Sequence, residues 1–319
     1  MMQRISLQHI REAARRIDRV FRDTPQFECS ALSEALGTQL VLKVESVNPI
    51  GSFKGRGAEY LLDTLHPRPS RVVAASAGNF GQGVAWAARR RGIACTIFAA
   101  KTANSLKVAR MRDLGATVVL EGEDFDAAKS AARQFAAETG TRFVEDGLEP
   151  AVTEGAATIG VELDSHSEEL DAVLLPLGNG ALLAGVGTWI RYTRPRTRLI
   201  GVCAAAAPAM ALSWSQGHPV ETDSAVTVAD GIAVRVPIAQ ALEDVRAVAD
   251  DVVLVSEEAL LEAVRIVFRT TNLVAEPAGA AGVAALLEHP HLRLRRTATV
   301  LAGGNLDPAL RSPLLCDFR

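Results

Sequence analysis

An α/β fold, a mostly parallel sheet covered by helices, is predicted by two features of this 319-residue chain. Short apolar runs alternate with helical stretches, as repeated strand–helix units require. Three of the runs end in glycine-rich turns, at Ser76 to Gly83, Gly178 to Gly187, and Gly303-Gly304. Ligands of open α/β sheets bind at the carboxyl ends of strands, where such turns sit.

The elements follow in order. Met1 to Arg22 sets Ile5, Leu7, Ile10, Ala13, Ala14, Ile17 and Val20 among alternating charges. That is an amphipathic helix and not a signal peptide, which needs an uninterrupted apolar stretch. Leu40 to Val44 reads as a strand. Arg71 to Ala75 is another, followed by the glycine loop and a helix over Val84 to Arg90. Ala94 to Ala99 and Thr117 to Leu120 are strands separated by a helix through Val108, Met111 and Leu114. A helix spans Phe125 to Thr139. Ala172 to Leu175, Leu199 to Val202, Val252 to Val255 and Thr297 to Leu301 complete the strands, with a helix at Val186 to Arg191. No tandem repeat or long polar linker interrupts this order.

Composition excludes several classes. Hydrophobic residues make up 48% and the net charge is −3, so no general electrostatic footprint for nucleic acid exists. The basic runs Arg89-Arg90-Arg91 and Arg194-Pro195-Arg196-Thr197-Arg198 read as solvated faces. No run of about 18 or more apolar residues is present, so no membrane span is expected. Cys29, Cys95, Cys203 and Cys316 are scattered without a Cys-x-x-Cys pair. Free thiols in a reducing, cytoplasmic setting are expected.

Lys54 is the most informative residue. The chain has five lysines against 29 arginines, yet a lysine stands in Asn48-Pro49-Ile50-Gly51-Ser52-Phe53-Lys54-Gly55-Arg56-Gly57. Arginine would supply the charge but never a neutral amine. A neutral amine can attack a carbonyl to form a Schiff base. Gly178-Asn179-Gly180-Ala181-Leu182-Leu183-Ala184-Gly185 follows an apolar strand and opens a helix, so its main-chain donors can wrap a phosphate. It lacks the Gly-Lys-Ser/Thr of a Walker loop and the Gly-x-Gly-x-x-Gly of a dinucleotide fingerprint. Phosphate binding plus a Schiff-base lysine points to pyridoxal 5'-phosphate.

Six segments in order carry a family resemblance: Gly51 to Gly57, Ser76-Ala77-Gly78-Asn79, Gly178 to Gly185, Ala229-Asp230-Gly231, Glu276-Pro277-Ala278-Gly279-Ala280 and Gly303-Gly304-Asn305. They resemble the fold-type II pyridoxal-phosphate enzymes of the threonine/serine dehydratase and serine racemase group. The resemblance implies a tryptophan synthase β-like architecture of two open twisted sheets flanked by helices. It also implies that Lys54 holds the cofactor as a Schiff base with Phe53 against its ring. Asn79 would bond the 3′-oxygen, Gly178, Asn179, Gly180, Ala181 and Leu182 would bind the phosphate, and Gly231 would line the cofactor pocket. Ser76, Ala77, Gly78, Asn79 and Phe80 would grip the substrate carboxylate. Freed Lys54 would remove the α-proton, and a departing β-hydroxyl would be assisted by the cofactor phosphate.

The chain departs from that pattern in places. Ala77 stands where racemases of the group carry the serine that protonates the opposite face, which favours dehydration. Ala302 stands beside the expected pyridine nitrogen where Ser, Thr or Cys is usual, so an unprotonated nitrogen is expected. Asn179 and Ala181 replace glycines, and Phe80 stands where many relatives have histidine, either lining the pocket or packing in the core. The stretch Cys203-Ala204-Ala205-Ala206-Ala207-Pro208 has no carboxylate, so no calcium or magnesium site is expected there. His289-Pro290-His291 reads as a surface turn.

The expectation is a large cofactor domain of residues 1–70 and 149–319 with a mobile small domain at 71–148. With 14 residues after Asn305, no C-terminal regulatory domain is expected. The expected activity is dehydration of a β-hydroxy amino acid such as L-threonine or L-serine to a 2-oxo acid and ammonia, by a homodimer. The alternatives are β-replacement through the same aminoacrylate, racemisation, and a cofactor-binding protein without catalysis.

Overall fold

The computed structural model describes residues 4–165 and 168–315. Among these described residues, ten strands form two sheets. They are β1 (Gln26–Glu28), β2 (Gln39–Val44), β3 (Arg71–Ala75), β4 (Ala94–Ala99), β5 (Thr117–Leu120), β6 (Arg142–Phe143), β7 (Ala172–Pro176), β8 (Arg198–Ala204), β9 (Asp251–Val255) and β10 (Arg296–Leu301). The larger sheet has the order β1-β2-β10-β7-β8-β9, the smaller β5-β4-β3-β6. Every pairing is parallel except β1 with β2.

Every residue of β7 and β10 is buried, as are the last five of β2. These strands carry continuous apolar runs without alternation because helices cover both faces of a parallel sheet. Beneath one face pack Leu32, Leu42, Leu174 and Leu286, and beneath the other Val41, Val173, Leu183 and Ile190.

Two helices start earlier than the glycines suggest. The helix after β3 spans Asn79–Arg91, and that after β7 spans Ala181–Thr193. The Ser76 hydroxyl oxygen accepts from the Gly78 and Gly81 N–H groups at 3.2 and 2.9 Å, which turns the chain directly into the helix. Gly83 and Gly185 therefore lie inside helices, where they permit backbone contact. A Cβ on Gly83 would stand 2.9 Å from the Lys54 carbonyl oxygen, and one on Gly185 would overlap that of Thr153. The N-terminal helix is also shorter than its periodicity, Leu7–Arg16, with a 3-10 turn at Arg19–Phe21 capped by Asp18. Met1, Met2, Gln3 and Cys316 lie outside the described residues.

Among the described residues, no helix is long and apolar enough to cross a membrane, and no group of three or more His, Cys, Asp or Glu is arranged to hold a metal ion. Cys29, Cys95 and Cys203 are free and buried.

Candidate active site

β2, β10 and β7 are adjacent and parallel, so the segments leaving their carboxyl ends come together. From β2 the chain runs to Lys54, from β10 to Ala302, Gly303 and Asn305, and from β7 to Gly178. Cross-links fix the first two. Phe53 N–H donates to the Ala302 carbonyl at 3.0 Å and Gly304 N–H to that of Gly51 at 2.9 Å. The Ser52 hydroxyl also donates to Ala302 O, at 3.2 Å. Gly51, at φ +61°, sits beside Asn305, whose amide donates to Ile50 O at 2.8 Å.

Lys54 opens the helix Lys54–Thr64. Two residues on, Arg56 is fully buried and anchors that helix. Its guanidinium donates to Glu45 at 2.8 and 2.7 Å, to Glu162 Oε2 at 2.9 Å, to Thr158 at 3.0 Å and to Thr24 at 3.1 Å. Burial would lower its pKa, but the two carboxylates outweigh burial and the group stays charged. The helix is held from the other side by Gly57 and Gly155, where added Cβ atoms would meet Val152 O and Arg56 O, each at 2.5 Å.

Lys54 Nζ donates to Asp146 Oδ2 at 2.7 Å and lies 4.8 Å from the Phe53 ring centroid. The amide of Asn179 reaches the same oxygen at 3.4 Å, while Asp146 Oδ1 is buried with no hydrogen-bond partner. Asn179 belongs to the turn Gly178-Asn179-Gly180, in which Gly180 takes φ +90°. The helix that follows has no acidic residue in its first turn and no side-chain cap. Its first intrahelical bond from this turn runs from Ala184 N–H to Gly180 O. The preceding N–H groups, including those of Ala181 and Leu182, thus form an anion cradle. Gly178 packs against the Gly231 carbonyl, which an added Cβ would meet at 3.1 Å.

Asn79, the first residue of its helix, donates to Glu276 Oε1 at 2.5 Å and accepts from the Asn305 amide at 2.7 Å. Lys107 reaches in from the helix Ser105–Asp113, pairing with Asp230 and lying 3.6 Å from Glu276 Oε2. Both Lys107 and Glu276 are buried. Burial works to lower the lysine's pKa, yet Glu276 and Asp230 outweigh it and raise the net value. Burial raises that of Glu276, with Lys107 opposing. The Lys107 side chain passes over Gly78, whose added Cβ would lie 3.5 Å from its Cδ.

The structure thus links Lys54, Phe53, Asn79, Gly178, Asn179, Gly231 and Ala302 through contacts at these strand ends, with Gly180, Ala181 and Leu182 continuing from Asn179 and Ser76 turning the chain through Gly78 into Asn79. Phe80 is the exception. Its side chain is 5% exposed and packs with Ala58, Leu61 and Val84 in the core of the smaller sheet. One position into a helix from Asn79, its burial there favours the core-packing reading of that side chain over the pocket one. Sequence reasoning missed Asp146, and no local signal marks it. Lys107 was also missed, although the scarcity of lysine that marks Lys54 marks it equally.

Pyridoxal phosphate fits these residues. It requires a primary amine and an anion cradle, and here Asp146 joins the two. It also requires a crevice free of side chains, and Gly303 meets this: a Cβ there would overlap Glu276 Oε1 and stand 3.2 Å from the Asn79 amide.

Comparison with known proteins agrees. The family model described as pyridoxal-phosphate dependent enzyme matches residues 17–303. An L-threonine ammonia-lyase of Thermotoga maritima is 39% identical over 305 residues, 95% of this chain and 76% of that one. One of Geobacter sulfurreducens is 40% identical over 302 residues, 93% and 75%. The crystal structure of a threonine deaminase from T.th. superposes with a TM-score of 0.90 at 36% identity, covering 95% of this chain and 99% of that one. Maize serine racemase gives a TM-score of 0.90 at 26% identity, covering 96% and 95%. With a family model spanning most of its length and relatives near 40% identity, this chain belongs to the pyridoxal-phosphate dependent enzyme family.

Proposed function

We propose that the chain is a dehydratase that removes water from a β-hydroxy amino acid, L-threonine or L-serine, and yields a 2-oxo acid and ammonia. The observation that carries the reading is the meeting of the Lys54 amine and the Gly178-Asn179-Gly180 cradle at Asp146, with Ala77 in the loop after β3. The names of the two ammonia-lyase relatives support it.

Bound pyridoxal phosphate supplies an electron sink for the α-carbon's electron pair. Lys54 holds the cofactor and, once released by substrate, takes the α-proton as general base. Main-chain N–H groups from Gly178 to Leu182 would hold the phosphate, and Asn79 would orient the ring. The backbone of Ser76 to Asn79 grips the substrate carboxylate, with the Lys107 cation nearby. Ala77 offers no proton to the face opposite Lys54, so inversion is disfavoured.

Residues 71–148 act as a small mobile domain in this reading. A homodimer is the proposed assembly, supported by the exposed apolar side chains of Val20, Phe27 and Val47, and light scattering tests it. The buried free thiols support a cytoplasmic location. The decisive experiment screens L-amino acids for 2-oxo acid and ammonia, with Lys54→Ala as control. No release from threonine or serine removes the reading, and activity retained by Lys54→Ala removes the lysine mechanism.

A further inference from the structure

We propose that Asp146, rather than the cofactor phosphate that the family resemblance implies, is the acid that protonates the departing β-hydroxyl, acting as one unit with Lys54. The proposal rests on the dehydratase reading above. Asp146 leaves the carboxyl end of β6 and arrives at the crevice because Gly147, at φ +84°, turns the chain tightly against Asn179. An added Cβ on Gly147 would meet the Asn179 Cβ at 3.0 Å. One carboxylate oxygen takes the Lys54 ammonium at 2.7 Å. The other is buried and unpartnered, although a carboxylate seeks donors for both. A buried oxygen without a partner is costly to maintain, and a substrate hydroxyl, which can donate to it or accept from it, supplies the missing partner. Asp146 and Asn179 also border a cavity of about 20 Å³ with Ala75, Phe143 and Lys129, room for one water molecule.

The proton count closes. With the pair's shared proton on Asp146, neutral Lys54 accepts the α-proton while Asp146 gives its own to the hydroxyl. The α-carbon–hydrogen and β-carbon–oxygen bonds break. The released electron pair forms the α,β double bond, and one O–H bond forms in the departing water. The Lys54–Asp146 ion pair of the structure is the result, and transfer across 2.7 Å restores the starting arrangement. No oxidant or reductant enters.

The test compares leaving groups in the holoenzyme. Chloride departs without a proton, hydroxide does not. In Asp146→Asn, turnover of whichever of L-serine and L-threonine the wild type dehydrates faster should fall by about 10²–10⁴-fold, the usual range for a lost general acid. Elimination of chloride from β-chloro-L-alanine should change by no more than a few-fold. Asp146→Glu should regain part of the dehydration rate. Visible absorbance of bound cofactor and the urea midpoint report whether the site and fold survive, and the two-substrate ratio within each variant cancels any loss of folded protein. Equal losses on both substrates, or an undiminished dehydration rate, overturn the proposal alone. A wild type that releases chloride but dehydrates neither hydroxy amino acid overturns the dehydratase reading, and this proposal with it.

Discussion

Asn79 Nδ2 donates to Glu276 Oε1 across 2.5 Å, tying the helix after β3 to the turn that precedes Pro277. Glu276 is completely enclosed there, and its carboxyl pKa is raised, chiefly by burial and against the pull of Lys107. Between the unfolded value of about 4.5 and the higher folded value, the native state binds the extra proton. Stability contributed by this group is therefore present below about pH 4.5 and is lost as pH rises through the folded pKa. Glu276→Gln should remove that decline. Urea midpoints of wild type and variant, taken from about pH 4.5 upward, should diverge in the variant's favour as pH rises. Parallel curves would refute it.

Arg56 is the charge on which the Lys54 helix stands. Removing it leaves Glu45 without its hydrogen-bonded cation and Glu162 with Lys43 alone, and breaking a buried pair in this way costs about 3–5 kcal/mol. Arg56→Met should lower the urea midpoint accordingly. Arg56→Lys should fail to restore it, since one ammonium cannot reproduce the guanidinium fork that serves two carboxylates and two threonines.

Gly57 is a packing requirement. An alanine there would place Cβ 2.5 Å from the Val152 carbonyl oxygen, a backbone atom that cannot swing aside. Gly57→Ala should cost about 1–3 kcal/mol, as overpacking does, and should also weaken cofactor uptake because the Lys54 helix is displaced. Unfolding curves and absorbance titration with pyridoxal phosphate measure the two effects.

Ala302 offers its carbonyl to Phe53 and Ser52 and only a methyl group to the crevice. Ala302→Ser adds a hydroxyl where relatives of the resembling group carry one. A new hydrogen bond contributes about 0.5–1.5 kcal/mol net, so cofactor affinity should tighten by roughly 2- to 12-fold by equilibrium dialysis. Unchanged affinity would place the pyridine nitrogen elsewhere.

Much of this protein follows from local sequence. Strand β3, strand β4 and the helix Phe125–Thr139 match their predicted bounds, because hydrophobic periodicity and glycine stops act over a few residues. Lys54 stands out in an arginine-preferring chain, and the proposed phosphate turn is marked by a strand, two glycines and a helix. The helix starts at Asn79 and Ala181 escape a local reading, because a glycine that allows close helix packing looks the same in sequence as one that ends a helix.

Only the tertiary structure decided what faces Lys54. Asp146 lies 92 residues from it, and Glu276 lies 197 from Asn79. No periodicity encodes those separations. They arise because β10 inserts between β2 and β7 and the smaller sheet sets the ends of β3 and β6 over the same crevice. Chain pattern determined the lysine and the glycine turn before a helix, whereas strand order determined that the Asp146 carboxylate stands between them. The same packing turned Phe80 into the core, since its direction depends on which face of its helix meets the sheet.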